Sequence, residues 1–124
     1  MLIRCIVVDD DKNTAQVFAD ILELMGLEIV GKGYNGDDAV SLYNDYRPDI
    51  SFIDVVMPQR NGFYALEKIR ECNPEAKVVA VTADFTQETQ QRLESMKISA
   101  IIYKPFNPDE IKRVLLEKYE INVF

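Results

Sequence analysis

Apolar residues along the 124-residue chain follow two rhythms, short unbroken runs and stripes at helical spacing, and the pair repeats five times. Leu2 to Val8 reads as a strand that ends at Asp9-Asp10-Asp11. Val17, Phe18, Ile21, Leu22 and Met25 then recur at helical spacing, with Gly26 as the stop. Glu28 to Tyr34 is a weaker second strand, after which Asn35-Gly36-Asp37-Asp38 opens a helix striped by Ala39, Val40, Leu42, Tyr43 and Tyr46. Arg47-Pro48 closes that helix, because the residue before a proline is pushed out of the helical region. The run from Ile50 stops at Asp54, and Pro58 forbids any continuation of the strand. Asn61 can cap the next helix, which Phe63, Leu66 and Ile69 carry to Asn73-Pro74. Lys77 to Thr82 is the fourth strand. Thr86 caps a polar helix through Met96 whose apolar contacts reduce to Leu93 and Met96, so this helix is the least firmly held. Ile98 to Tyr103 is the fifth strand. Asn107-Pro108-Asp109-Glu110 gives the last helix a capping side chain, a proline in its first turn and acids near its N-terminus, and Ile111, Val114, Leu115 and Tyr119 form its buried side.

Strict strand–helix alternation predicts a doubly wound (βα)5 three-layer α/β sandwich, with right-handed crossovers that put helices on both faces of a parallel sheet. The central run Ile50-Ser51-Phe52-Ile53 lacks polar–apolar alternation, as a strand covered on both faces should. No repeat or linker interrupts the pattern, and residues 1–124 are expected to form a single domain without an output domain. The segment from Tyr119 to Phe124 suits a helix tail, a dimer contact or the start of a linker. In such sheets the chemistry collects beyond the carboxyl ends of the strands. Four strands end there in a capable residue: Asp9 and Asp10, Asp54, Thr82 and Lys104.

Composition narrows what that edge can do. An apolar share of 48% suits a globular core, and a net charge of −7 argues against direct binding to nucleic acid and suits a basic partner surface. There is no 18-residue apolar span and no signal peptide, so the chain is expected in the cytoplasm, without a membrane contact. Cys5 and Cys72 lack metal spacing and read as reduced thiols with no chemical role. Histidine is absent, which removes the commonest general base and the commonest transition-metal ligand. Hard oxygen ligands remain, and they favour Mg²⁺ over Zn²⁺.

Three carboxylates drawn together must protonate or hold a cation, since at an effective dielectric of about 20 each close pair costs a few kcal/mol. Asp10 and Asp54 are the expected direct ligands, with the main-chain carbonyl of Val56 beside them and Asp9 acting through water. Thr82 offers a hydroxyl donor and Lys104 a fixed positive charge, both suited to phosphoryl oxygens. Asp54 is then the nucleophile, and an aspartyl phosphate the product.

Val7-Val8-Asp9-Asp10-Asp11, Asp54-Val55-Val56-Met57-Pro58 with Gly62 beyond, Val81-Thr82-Ala83 and Tyr103-Lys104-Pro105-Phe106 together resemble the receiver domain of two-component response regulators, in its stand-alone CheY-like form. The resemblance covers essentially the whole chain. It implies Asp54 as phosphoacceptor, Asp9 and Asp10 as the acidic pair for Mg²⁺, Thr82 as the switch hydroxyl and Lys104 as phosphoryl partner. It also implies strand order 2-1-3-4-5, for which the family is a standard example, and a cis peptide between Lys104 and Pro105. The implied partners are a histidine kinase or phosphotransfer protein as donor and a downstream target on the fourth helix, fifth strand and fifth helix, the chain being a monomer or a phosphorylation-dependent dimer. Such a protein is a signalling receiver and not an enzyme, beyond assisting its own phosphotransfer and slow autodephosphorylation.

Two departures stand out. Ile101 occupies the position where the family usually carries a switching aromatic. Tyr103, of the same strand parity, can take over part of that role or can simply pack on the last helix. Lys97-Ile98 replaces a common Gly-Ala pair, so the loop before the fifth strand is expected to differ. Rival readings are a phosphatase of haloacid-dehalogenase type using the Asp9-Asp10-Asp11-Lys12-Asn13 loop, a flavodoxin-like electron carrier, and a docking module that is never phosphorylated. The phosphatase reading leaves Asp54 idle, and the three aspartates oppose a flavin phosphate.

Overall fold

The computed structural model describes residues 2–58 and 61–122. Five strands, β1 (Arg4–Val8), β2 (Glu28–Gly33), β3 (Ile50–Asp54), β4 (Val78–Thr82) and β5 (Ala100–Tyr103), alternate with five helices, α1 (Lys12–Leu24), α2 (Gly36–Tyr46), α3 (Gly62–Cys72), α4 (Gln87–Ser95) and α5 (Pro108–Tyr119). All strand pairs are parallel and the sheet order is β2-β1-β3-β4-β5. That order follows from a chain that winds one way to β2 and the other way through β3, β4 and β5. The reversal puts β1 directly beside β3, with Val8 level with Ile53.

Side-chain alternation divides the core between the two faces. Cys5, Val7, Ile50, Phe52, Val79, Val81 and Ile102 pack under α1 and α5. Ile6, Val8, Ile53, Val78 and Ala80 pack under α2 and α3, with Leu93 joining them from α4. Every residue of β3 and β4 is buried, which explains their lack of polar alternation, whereas β2 and β5 lie at the edges and are partly exposed.

Helix starts follow from capping. Asn35, Asn61, Thr86 and Asn107 each accept a backbone N–H from the first turn of their helix, as their sequence contexts predict. Asp11 does the same for α1, taking the N–H groups of Asn13 and Thr14. Helix α1 therefore begins five residues before its first predicted apolar contact, and Asp11 is a cap set apart from the two aspartates before it. Of the α1 stripe, Phe18, Leu22 and Met25 are buried while Val17 is exposed. In α2 the core takes Ala39 and Tyr43 but not Tyr46, which lies exposed in the last turn. Gly26 ends the α1 segment at φ +93°, a region that costs other residues. Lys97 holds φ +59° before β5, the conformation that glycine favours, and its carbonyl accepts from the Arg70 guanidinium at 2.7 Å. Helix α5 ends at Tyr119, with Glu120 left-handed after it. Val123 and Phe124, the end of the apolar tail, lie outside the described residues.

Candidate functional site

The edge at the strand C-termini assembles all the residues singled out from sequence. Asp9 follows β1, Asp54 ends β3, Thr82 ends β4 and Lys104 follows β5. Carboxylate oxygens of Asp9, Asp10 and Asp54 lie within 4.8 Å of one another, with Asp9 and Asp54 buried and Asp10 exposed. Such a set of hard oxygen donors, open to solvent at Asp10, fits a small divalent cation such as Mg²⁺.

Lys104 reaches into this cluster. Its Nζ donates to Asp9 Oδ2 at 2.6 Å and to Asp54 Oδ2 at 3.2 Å. The shorter contact is to Asp9, so the ammonium bridges the two buried carboxylates. The remaining oxygens are partly held by the backbone. Asp9 Oδ1 accepts the Asp11 N–H at 2.9 Å, and Asp54 Oδ1 accepts the Val56 N–H at 3.1 Å. That contact uses the Val56 N–H, not the carbonyl expected to serve a metal ion, and the Val56 side chain is exposed.

The electrostatics follow from burial among like and unlike charges. Burial pushes the Asp54 carboxyl up, the Lys104 ammonium and the Val56 N–H pull it down, and the Asp9 charge pushes it up again; the balance lies above the usual aspartate value. Burial would lower the Lys104 ammonium, but its hydrogen bond to Asp9 and the charges of Asp54 and Asp9 outweigh that and hold it above the usual lysine value. The two shifts are linked: the carboxylates that surround the Lys104 ammonium favour its charged form, and the ammonium in turn offsets part of the burial of Asp54.

The position of Asp54 depends on a close approach. A Cβ on Gly62 would stand 2.4 Å from the Asp54 carbonyl oxygen and 2.6 Å from Val55 Cα, so only glycine lets the start of α3 pack against the tip of β3. On the far side, Lys104 N donates to the Thr82 carbonyl at 2.8 Å, tying the lysine to the strand that carries the hydroxyl. The Lys104–Pro105 peptide is cis. Phe106 then packs edge-on against Phe18, 4.8 Å between centroids, which fastens the lysine loop to α1. An open cleft of about 400 Å³ lies over the cluster, lined by Asp54, Val56, Ala83, Asp84 and Lys104.

A family model described as the response regulator receiver domain matches residues 5–116. The chain belongs to the response regulator receiver family. The chemotaxis protein CheY of Thermotoga maritima is 33% identical to this receiver over 114 residues, which are 90% of this chain and 93% of that protein. Protein CcdB of Bacillus subtilis is 36% identical over 108 residues, 87% of this chain and 90% of that one. Among solved structures, a CheY-like receiver domain protein of Methanospirillum hungatei shares the fold at a TM-score of 0.89 and 25% identity, covering 97% of this chain and 95% of that one. The receiver is thus a module of two-component signalling. No helix among its described residues is long and apolar enough to cross a membrane.

Two features of the receiver escaped the sequence reading. The half-buried Tyr103 ring stacks on Phe85, 4.8 Å between centroids and 17° between planes, a partner on the β4–α4 loop that the sequence reading did not name. Ile101 is half-buried against the α2/α3 side of the core. Asp84, which drew no notice, accepts from Thr86 N at 2.9 Å and Thr89 Oγ1 at 2.7 Å. The Asp84-x-Thr86 spacing carries the Asx-turn signal that could have marked it.

Proposed function

We propose that this receiver takes a phosphoryl group onto Asp54 from the phosphohistidine of a kinase or phosphotransfer protein. The juxtaposition of Asp9, Asp10 and Asp54 with the Lys104 ammonium carries this reading, because each group there has a use in phosphoryl transfer and the cluster is otherwise self-repelling. Asp9, Asp10, Asp54 and the Val56 carbonyl would hold Mg²⁺, which when bound supplies positive charge to neutralise phosphoryl oxygens. An Asp54 carboxylate oxygen attacks phosphorus, the P–N bond breaks, and the imidazole leaves with its electron pair and takes a proton. The Lys104 ammonium then pairs with one phosphoryl oxygen, and the Thr82 hydroxyl, fully buried at the end of β4, donates to another. Histidine is absent from the chain, so none can activate water against the acyl phosphate, and a lasting modified state suits signalling.

The partner on the output side is a protein that reads the α4, β5 and α5 surface. The phosphatase alternative would need Asp9 as nucleophile, yet Asp9 takes the shorter Lys104 contact, 2.6 Å against 3.2 Å to Asp54, and that reading leaves Asp54 without a role. Acetyl phosphate with Mg²⁺ should add the mass of one phosphoryl group to the intact protein, and Asp54→Asn should gain none. Labelling of that variant, or labelling that ignores a chelator, would remove the assignment.

A further inference from the structure

The chain carries two Asn-Gly pairs, Asn35-Gly36 and Asn61-Gly62, and each stands at a helix start. Such a pair has a chemistry of its own. The backbone nitrogen of the glycine, unhindered by a Cβ, can attack the side-chain amide carbon of the asparagine and close a five-membered imide. At Asn73 and Asn107 this route is shut, because the proline that follows brings no N–H.

In most respects the two pairs are alike. Both asparagines are half-buried with extended ψ, 178° at Asn35 and −179° at Asn61, and both glycines are buried. Asn35 Oδ1 accepts the Asp38 N–H at 2.8 Å, and Asn61 Oδ1 accepts the Tyr64 N–H at 3.2 Å. The main-chain carbonyls accept from Ala39 at 3.1 Å and from Ala65 at 3.2 Å respectively. The difference lies in the attacking atom. Gly62 N–H donates to the Val55 carbonyl at 3.2 Å, and Gly62 is wedged against the tip of β3 with no room for a Cβ. Among the described residues no acceptor answers the Gly36 N–H, one of the orphan donors of a helix start.

Closing the imide requires rotation about the Cα–C bond of the asparagine. Both pairs must then release the cap and the first helical bond, but Asn61 must also break the Gly62–Val55 bond and lift Gly62 off β3. We propose that Asn35 is a site of spontaneous modification at which the native protein loses ammonia, while the tertiary structure protects the same pair at Asn61. Gly36 N gives up its proton and bonds to Asn35 Cγ, the Cγ–Nδ2 bond breaks, and the amide nitrogen leaves as ammonia. Water then opens the imide at either carbonyl, which leaves aspartate or, with one methylene more in the main chain, isoaspartate. The aspartate still caps α2. The isoaspartate lengthens the loop after β2, whose last residue, Gly33, holds the Asp9 N–H through its carbonyl at 3.0 Å, so the change falls beside the acidic cluster.

The whole chain is aged in warm, mildly alkaline buffer, native and in concentrated urea, and peptide mapping by mass spectrometry follows the conversion of each amide to an acid. Urea gives the unprotected rate of each pair. Relative to that rate, folding should slow Asn61 at least about tenfold more than Asn35, because Asn61 reacts only through a larger local opening. Asn35→Ser, which keeps a capping oxygen, should lack the early loss of ammonia from the native protein. Equal slowing at the two pairs, greater slowing at Asn35, or a native protein that converts neither while urea converts both would overturn the proposal. So would an Asn35→Ser protein that loses ammonia as early as the wild type.

Discussion

Replacing Lys104 by methionine removes the ammonium that sits between Asp9 and Asp54 and keeps most of the side chain's apolar stem. At an effective dielectric of about 20, the contact of 2.6 Å to Asp9 corresponds to about 6 kcal/mol of gross attraction and that of 3.2 Å to Asp54 to about 5 kcal/mol. Desolvation of all three groups offsets much of this. The Lys104 side chain is only 21% exposed and the two carboxylates 7% and 6%, so the discount for solvent screening is modest. What remains after the substitution is a set of carboxylate oxygens within 4.8 Å of one another, repelling by about 3 kcal/mol per pair. Measured costs of removing one partner from a buried pair run near 3 kcal/mol or more, and for a chain of this size that lowers the melting temperature by about 10 °C. Magnesium should narrow the gap, because a divalent ion among Asp9, Asp10 and Asp54 answers the same repulsion. At about a hundredfold over its dissociation constant, the ion adds about 3 kcal/mol to the wild type. It should add more to the variant, whose carboxylates no longer share themselves with an ammonium. Thermal and urea unfolding with chelator and with Mg²⁺ would measure both terms. A Lys104→Met protein as stable as wild type in chelator, or a gap indifferent to Mg²⁺, would refute the account of the cluster.

Further expectations concern single positions. Gly62→Ala must push α3 away from the Asp54 carbonyl, and should cost about 2–3 kcal/mol in urea unfolding and slow acetyl phosphate labelling of Asp54. Lys97→Gly relieves a left-handed backbone held by a side chain that disfavours it; a gain of up to about 1 kcal/mol is expected, with an unchanged denaturant slope. The Cys5 thiol is pushed up to about 12 from an ordinary 9.0, first by burial and then by the charge of Asp49. Its contribution to stability is full below pH 9.0 and is lost as pH rises toward about 12, because above 9.0 the unfolded chain releases a proton that the native state keeps. Urea midpoints taken across that range should fall less steeply for Cys5→Ala. At pH 8, iodoacetamide should modify exposed Cys72 promptly and buried Cys5 only as fast as the protein opens.

How much of this was legible before folding depends on how far apart the interacting groups lie in the chain. Capping by Asn61, Thr86 and Asn107 is decided within four residues, by side-chain oxygens and the orphan N–H groups beside them. The arrest of β3 at Asp54 is equally local, since the apolar run and Pro58 stand on either side of it. Placing Asp9, Asp54, Thr82 and Lys104 at one edge needs only the further fact that strands joined by helical crossovers run parallel. The chain therefore carried the fold class and the membership of the site in its own order. The neighbours of those groups were settled by contacts across the sheet and between loops. Reversal of winding after β2 set β1 against β3 and brought Asp9 within reach of an ammonium 95 residues away. Phe85 and Tyr103 meet because β4 and β5 are adjacent, and no periodicity within either segment encodes that meeting. Lys97 keeps a costly backbone angle within a tertiary frame that includes the Arg70 guanidinium on its carbonyl. Short-range hydrogen bonding and hydrophobic period act on a few residues at a time, so the sequence alone determines elements and their ends, while side-chain pairing across tens of residues is decided only when the layers close.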